Sequence, residues 1–88
     1  MSCTVRVASP LRSYTGGAPV IEALGATIAE LLLDIERRHP GMRFRMIDEQ
    51  DRIRPHIRLF AGNHEVRELS ERMGSERVLH LICALSGG

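Results

Sequence analysis

Apolar and polar positions alternate at the start of the chain. Cys3, Val5 and Val7 fall on one side of an extended segment, with polar residues between them. This period of two is typical of a half-buried strand. Residues 11–17 then predict a loop that ends in a glycine pair, and residues 20–23 predict a second short strand. The two strands together indicate a β-hairpin.

The period then changes to that of a helix. Thr27 and Glu30 have the spacing of a capping box, in which hydroxyl and carboxylate satisfy free N–H groups of the first turn. The apolar positions that follow share one helical face: Ile28, Leu31, Leu32 and Ile35. Pro40 ends the helix at His39, because proline disfavours helical geometry at the residue before it. Residues 42–47 predict one more helical turn.

The last third of the chain returns to short apolar runs separated by turn residues. They predict a third strand over residues 57–61, a return strand over residues 65–67 and a final strand over residues 78–85. Gly62-Asn63 supplies the tight turn between the third strand and its return. The polar segment at residues 68–76 predicts a single helical turn.

This order of elements, β-β-α-β-β-β, predicts an α+β fold with a mixed sheet and one main helix packed across one face. The first and last strands have the most apolar faces, so we expect them to be the central pair. That arrangement is a roll of the β-grasp (ubiquitin-like) type. It sends the final strand out of the centre of the sheet and off one edge of the domain. We therefore expect one domain over residues 1–84 and a projecting tail at residues 85–88.

The composition and the motifs argue against several classes of function. Twelve basic and eleven acidic residues leave a net charge of +1, so nothing favours nucleic acid as a partner. The longest apolar runs are too short to cross a bilayer, and the four histidines lack the spacing of metal ligands. No Gly-x-x-x-x-Gly-Lys loop is present to hold a nucleotide. We expect a cytoplasmic protein that itself binds no metal, cofactor, nucleic acid or membrane.

The two cysteines, Cys3 and Cys83, are too few for a disulfide framework or a zinc site. They could lie close together if the first and last strands pair, so a disulfide between them is one of the two alternatives. Without a secretory signal, free thiols are expected. Cys83 could be a sulfur relay, a site for a mixed disulfide with a partner, or a packed strand cysteine. Its place in the alternation of the final strand favours packing.

Three surface features have two interpretations each. Arg37-Arg38 and the arginines of residues 52–58 are either solvated surface or a docking patch for an acidic partner. Phe60, on the third strand, either packs in the core or joins a docking patch for a partner.

The printed sequence finishes with Leu85-Ser86-Gly87-Gly88, directly after the final strand. Glycine has no Cβ and adopts backbone angles closed to other residues. Such a tail can pass through a narrow channel and present its terminal carboxylate to another protein's active site. The alternative is an unstructured end without a role.

Taken together, these features resemble the MoaD/ThiS family of ubiquitin-like sulfur carriers. The resemblance extends over essentially the whole length. It rests on the capped helix from Thr27, the turn at Gly62-Asn63, the terminal Gly87-Gly88 and one loop, Leu11-Arg12-Ser13-Tyr14-Thr15-Gly16-Gly17. This loop is most similar to that of the carriers that serve the synthesis of cysteine or of other sulfur metabolites.

The resemblance implies a group carrier rather than an enzyme. In this family a ubiquitin-activating-like adenylyltransferase uses ATP and Mg²⁺ to adenylate the terminal carboxylate, here that of Gly88. A sulfur donor of the cysteine desulfurase or rhodanese type then converts it to a thiocarboxylate. Leu85, Ser86 and Gly87 would insert into the partner. The further partners implied are a sulfur-accepting synthase and, for some carriers, a metalloprotease.

Two other functions fit the same features. The chain could be the small subunit of molybdopterin synthase, in which the tail would insert into a large subunit. It could also be a ubiquitin-fold interaction module whose tail is never modified. The loop over residues 11–17 favours the carrier over the synthase subunit.

Overall fold

The computed structural model describes residues 1–84. These residues form five strands, two α-helices and one 3-10 helix. In chain order the elements are β1 (Ser2–Arg6), the 3-10 helix (Ser9–Thr15), β2 (Val20–Leu24), α1 (Ile28–Arg38), α2 (Met42–Met46), β3 (Ile57–Ala61), β4 (His64–Val66) and β5 (Val78–Cys83).

The five strands form one mixed sheet in the order β2-β1-β5-β3-β4. β1 and β5 are parallel neighbours, with Thr4 opposite Val78, whereas the other pairs are antiparallel. The predicted central pairing of the first and last strands is confirmed. β5 is the middle strand of the five and is hydrogen-bonded on both sides, to β1 and to β3.

The core lies between one face of this sheet and α1. The four apolar positions predicted for one face of α1 are all fully buried: Ile28, Leu31, Leu32 and Ile35. Each strand buries alternate residues against them, for example Val5 in β1, Leu59 in β3 and Leu79 in β5. The aliphatic period-2 and period-3.6 patterns therefore meet in a single core.

The capping box of α1 forms, with one difference. The Thr27 hydroxyl accepts a hydrogen bond from the Glu30 amide at 3.2 Å. The Glu30 carboxylate reaches one residue further than the cap, to the amide of Ala26 at 2.7 Å. Two more donors at this end, the amides of Ile28 and Ala29, bind carbonyls of the segment that precedes β5. The first three amides of the helix, those of Ile28, Ala29 and Glu30, thus all have acceptors.

The structure corrects two sequence predictions about loops. The segment predicted as a loop over residues 11–17 is largely a 3-10 helix, because Pro10 fixes the backbone angle at its first turn and Gly16 ends it in a left-handed conformation. The segment at residues 68–76 forms no helix, only single hydrogen-bonded turns, such as the one in which the Glu71 amide donates to the Glu68 carbonyl at 3.2 Å. Its carbonyls at Leu69 and Glu71 accept the first amides of α1, so they are not used for a helix of its own.

Candidate functional site

The candidate site is the root of the tail, where β5 ends. Cys83 pairs with Ile57 of β3, and the amide of Ala84 donates to the carbonyl of His56 at 2.8 Å. The central strand is therefore held by neighbours up to the last described residue. The predicted tail residues, Leu85, Ser86, Gly87 and Gly88, lie outside the described part of the chain.

Cys83 faces the core side of the sheet and is half-buried there. Burial raises the pKa of its thiol, and the nearby positive charge of Arg45 opposes this shift only in part. The protonated thiol therefore dominates at neutral pH, and a thiol is a weak nucleophile. These properties agree with the packed strand cysteine favoured by the sequence.

Cys3 and Cys83 are both free thiols. Because β1 and β5 run parallel, the register that sets Thr4 opposite Val78 puts the two cysteines at opposite ends of the pair. Along the strand direction the two cysteines are six residues apart, which corresponds to about 20 Å. A disulfide between them, left open by the sequence, is thus ruled out by the topology.

Phe60 lies on the outer face of the sheet, away from α1, and is half-buried there. Across the strands it sits between His80 of β5 and Glu65 of β4. The Arg58 guanidinium lies 5.4 Å from the centre of its ring. The ring is thus outside the core cluster, and its exposed part is available on this face.

Arg58 is itself fixed by a bidentate pair with Glu65, at 2.8 and 3.0 Å. This hydrogen bonding raises the pKa of the arginine and lowers the pKa of the glutamate. Both groups therefore stay charged over a wide pH range. The pair holds a cation above Phe60 in a defined position.

A second cluster, which we name the basic-aromatic patch, consists of Phe44, Arg45, Arg54 and His56. These four residues line a surface pocket of about 240 Å³. The Phe44 side chain is 58% exposed, and the Arg54 guanidinium lies 4.5 Å from its ring centre. Arg54 also donates from Nε to the Phe44 carbonyl at 2.7 Å. The sequence suggested a docking role for residues 52–58 but did not connect them to α2.

The other predicted basic cluster, Arg37-Arg38, has a different environment. Both guanidiniums bind the buried carboxylate of Asp34, which also accepts the amide of Leu24 at 2.8 Å. That amide, together with the two arginines, lowers the pKa of Asp34. Asp34 thus joins α1 to β2, and Arg37 and Arg38, although exposed, both pair with its carboxylate on the same helix instead of forming a free cationic surface.

Two classes of site find no support among residues 1–84. No group of three or more His, Cys, Asp or Glu side chains is arranged to hold a metal ion. None of the described helices has the length and apolar content that crossing a bilayer requires.

A β-grasp domain whose central strand leads into a Gly-Gly sequence is typical of ubiquitin-like proteins, and this chain has both features. Comparison with known proteins narrows this class. The sulfur carrier protein CysO of Mycobacterium tuberculosis is 28% identical over 69 residues, which cover 76% of this chain and 74% of the relative. No protein-family profile matches the sequence.

Solved structures agree with this result. A chain in the crystal structure of the Amycolatopsis orientalis BexX/CysO complex superposes with a TM-score of 0.89 at 31% identity, over 98% of this chain and 99% of the other. SAMP1 from Haloferax volcanii has the same fold, with a TM-score of 0.82 at 20% identity and full coverage of both chains. The chain belongs to the family of ubiquitin-like sulfur carriers of the MoaD/ThiS type.

Proposed function

We propose that this protein carries sulfur as a thiocarboxylate on Gly88 and delivers it in the biosynthesis of cysteine or of another sulfur metabolite. The observation that carries the proposal is the near-complete structural match to a chain of the BexX/CysO complex. The Gly87-Gly88 sequence directly beyond the anchored β5 supports it.

The chemistry requires a partner enzyme. A carboxylate is a poor electrophile, so a ubiquitin-activating-like adenylyltransferase first joins the Gly88 carboxylate to AMP, consuming ATP with Mg²⁺ and releasing pyrophosphate. The outer sulfur of a persulfide on a sulfur donor, of the cysteine desulfurase or rhodanese type, then attacks the acyl carbon and AMP leaves. A thiol reduces the S–S bond of the resulting acyl disulfide, which releases the Gly88 thiocarboxylate and leaves the donor and the thiol as a disulfide. A synthase accepts the sulfur, and a metalloprotease acts after transfer where the sulfur leaves as part of an amino acid.

The carrier contributes recognition and reach rather than catalysis. Gly87 keeps the tail thin enough for the partner's channel, while Leu85 and Ser86 lie at the channel's mouth. Phe60, on the outer face of the sheet, is part of the docking surface. Its ring is partly exposed and is held beneath the fixed cation of Arg58, which limits the entropy lost when a partner packs on it.

Sulfur loading tests the proposal directly. The full chain is incubated with the adenylyltransferase from the same genome, ATP, Mg²⁺ and sulfide, and its intact mass is followed. We expect the mass change for replacement of one oxygen by sulfur. Deletion of Gly88 should abolish this change. Loading of the shortened chain would contradict the assignment to the Gly88 carboxylate, and an unloaded wild-type chain would favour an unmodified interaction module.

The steric role of the tail is tested in the same assay. Gly87→Val should fold normally but load more slowly by about tenfold or more, since the added side chain must enter the channel. The matched control is Gly74→Val, because a side chain at this exposed turn meets nothing within 4 Å. Equal loading rates for both variants would remove the steric argument.

A further inference from the structure

The basic-aromatic patch has the composition of a binding hot spot. Aromatic residues and arginine are enriched where interfaces are strongest. Phe44 is a large aromatic side chain left 58% exposed in a chain that contains few aromatics. Arg54 is held over its ring and bonded to its carbonyl, so this cation is already ordered before any partner arrives.

The charges around the patch are not balanced. The neighbouring arginines of α2, of the loop and of β3 each have a carboxylate partner: Arg43 pairs with Asp51, Arg52 with Asp48 and Arg58 with Glu65. Within residues 1–84, no carboxylate lies within 4.0 Å of the Arg45 or Arg54 guanidinium. The patch therefore offers two cations without a direct carboxylate partner, with His56 beside them; the charge of Arg54 reaches Asp48 only at longer range, where it helps to lower the pKa of that carboxyl.

The position of the patch links it to the tail. The His56 carbonyl accepts the amide of Ala84, the last described residue before the tail. The charge of Arg45 is close enough to the Cys83 thiol to influence its protonation. Any protein that takes up residues 85–88 must come close to this surface, because four residues extend by about 14 Å at most.

We propose that the basic-aromatic patch docks an acidic surface segment of the adenylating enzyme while the tail is in that enzyme's active site. This inference rests on the proposed function. The occupant is a protein segment rather than nucleic acid or anionic lipid, because the chain's net charge is only +1 and its cations elsewhere are paired or dispersed. Phe44 would pack against the segment, and Arg45 and Arg54 would bind its carboxylates.

The test measures the steady-state kinetics of loading with the carrier as varied substrate. Arg45→Glu should raise the KM for the carrier about tenfold with little change in kcat, since charge reversal weakens docking but leaves the tail intact. Raising the salt concentration should increase the wild-type KM and affect the variant less. Phe44→Ala should also raise KM, without the change in salt dependence.

Arg72→Glu is the matched control. Arg72 is exposed, and its backbone pairs with that of Thr27 at the start of α1. α2 follows the other end of α1, and the length of α1, about 16 Å, separates the two ends. Arg72→Glu changes the net charge by the same amount as Arg45→Glu, and we expect it to keep the KM of the wild-type protein. A rise equal to that of Arg45→Glu would mean that only net charge matters and would overturn the inference.

Failure of the inference differs from failure of the function. If wild-type carrier loads but Arg45→Glu and Phe44→Ala keep its KM and salt dependence, the patch is not the docking site and the carrier function stands. If vesicles of phosphatidylserine and phosphatidylcholine retain wild-type carrier but not Arg45→Glu, and KM is unchanged, a lipid surface replaces the protein partner. If wild-type carrier never loads, the proposed function itself fails.

Discussion

The surface around α1 and the root of the tail use their charges in opposite ways. On α1 and in the segment packed against its start, carboxylates accept nearby backbone amides: Glu30 binds Ala26, Asp34 binds Leu24, Glu36 binds Gly41 and Arg43, and Glu71 binds Arg67 and Glu68. We name these four side chains the carboxylate clasps. At the tail root, the cations of the basic-aromatic patch have no such partners among the described residues.

The difference separates stability from recognition. A carboxylate that accepts two amides is tied to the folded backbone, so losing it weakens the fold. A surface cation without a partner contributes little to folding but remains free to bind another molecule. Changes around α1 should therefore lower stability and leave the loading kinetics of folded protein unchanged. Changes in the patch should do the reverse.

The largest effect on stability is expected at Gly25, which joins β2 to α1. A Cβ at this position would lie 2.7 Å from the Leu31 amide nitrogen and 2.8 Å from the Glu30 Cβ. Backbone atoms must then move, so Gly25→Ala should lower the free energy of unfolding by about 1–3 kcal/mol in urea denaturation. Gly74→Ala, where the space is open, should change it by about 0.5 kcal/mol or less. Equal stabilities would show that this junction is not tightly packed.

A smaller, pH-dependent effect is expected at Asp34. Its pKa is lowered first by the Leu24 amide and then by Arg37 and Arg38, so the folded state favours the carboxylate. The stabilisation is present above the unfolded pKa of about 3.9 and is lost as the pH falls through the lower folded pKa. Asp34→Asn should have a reduced Tm at pH 7 and a shallower fall of Tm from pH 5 to pH 2.

The matched control for this pH profile is Glu49→Gln, which removes one carboxylate from an exposed loop position. Its Tm should follow that of the wild-type protein through the whole pH range. A wild-type profile for Asp34→Asn would show that this clasp contributes nothing to the charge-dependent stability.

The smallest effect is expected at Cys83, which lies at the tail root but faces the core. Cys83→Ala removes one half-buried sulfur and should cost on the order of 1 kcal/mol or less. Loading should keep its wild-type kcat and KM, because the thiol is neither an uncompensated charge nor an activated nucleophile. Loss of loading in a folded Cys83→Ala protein would restore the sulfur-relay hypothesis.

Local sequence patterns determined most of the fold. The period of two placed Val5, Leu79 and Leu81 on one buried face, and the period of 3.6 placed Leu31 and Ile35 on another, because burial of apolar area dominates the choice of element. The bounds predicted for the third strand, residues 57–61, agree with β3. The central pairing of β1 with β5 also followed from their apolar faces.

Only the tertiary structure decided where polar groups of distant segments meet. Leu69 and Glu71 accept amides of α1 instead of starting a helix, since that pairing satisfies both segments at once. The basic-aromatic patch likewise joins α2 to the loop before β3, about ten residues apart in sequence and beside the end of β5. Hydrophobic periodicity is a property of the local sequence and can be predicted from it. Hydrogen bonds and cation contacts between distant segments depend on which segments the packed core brings together.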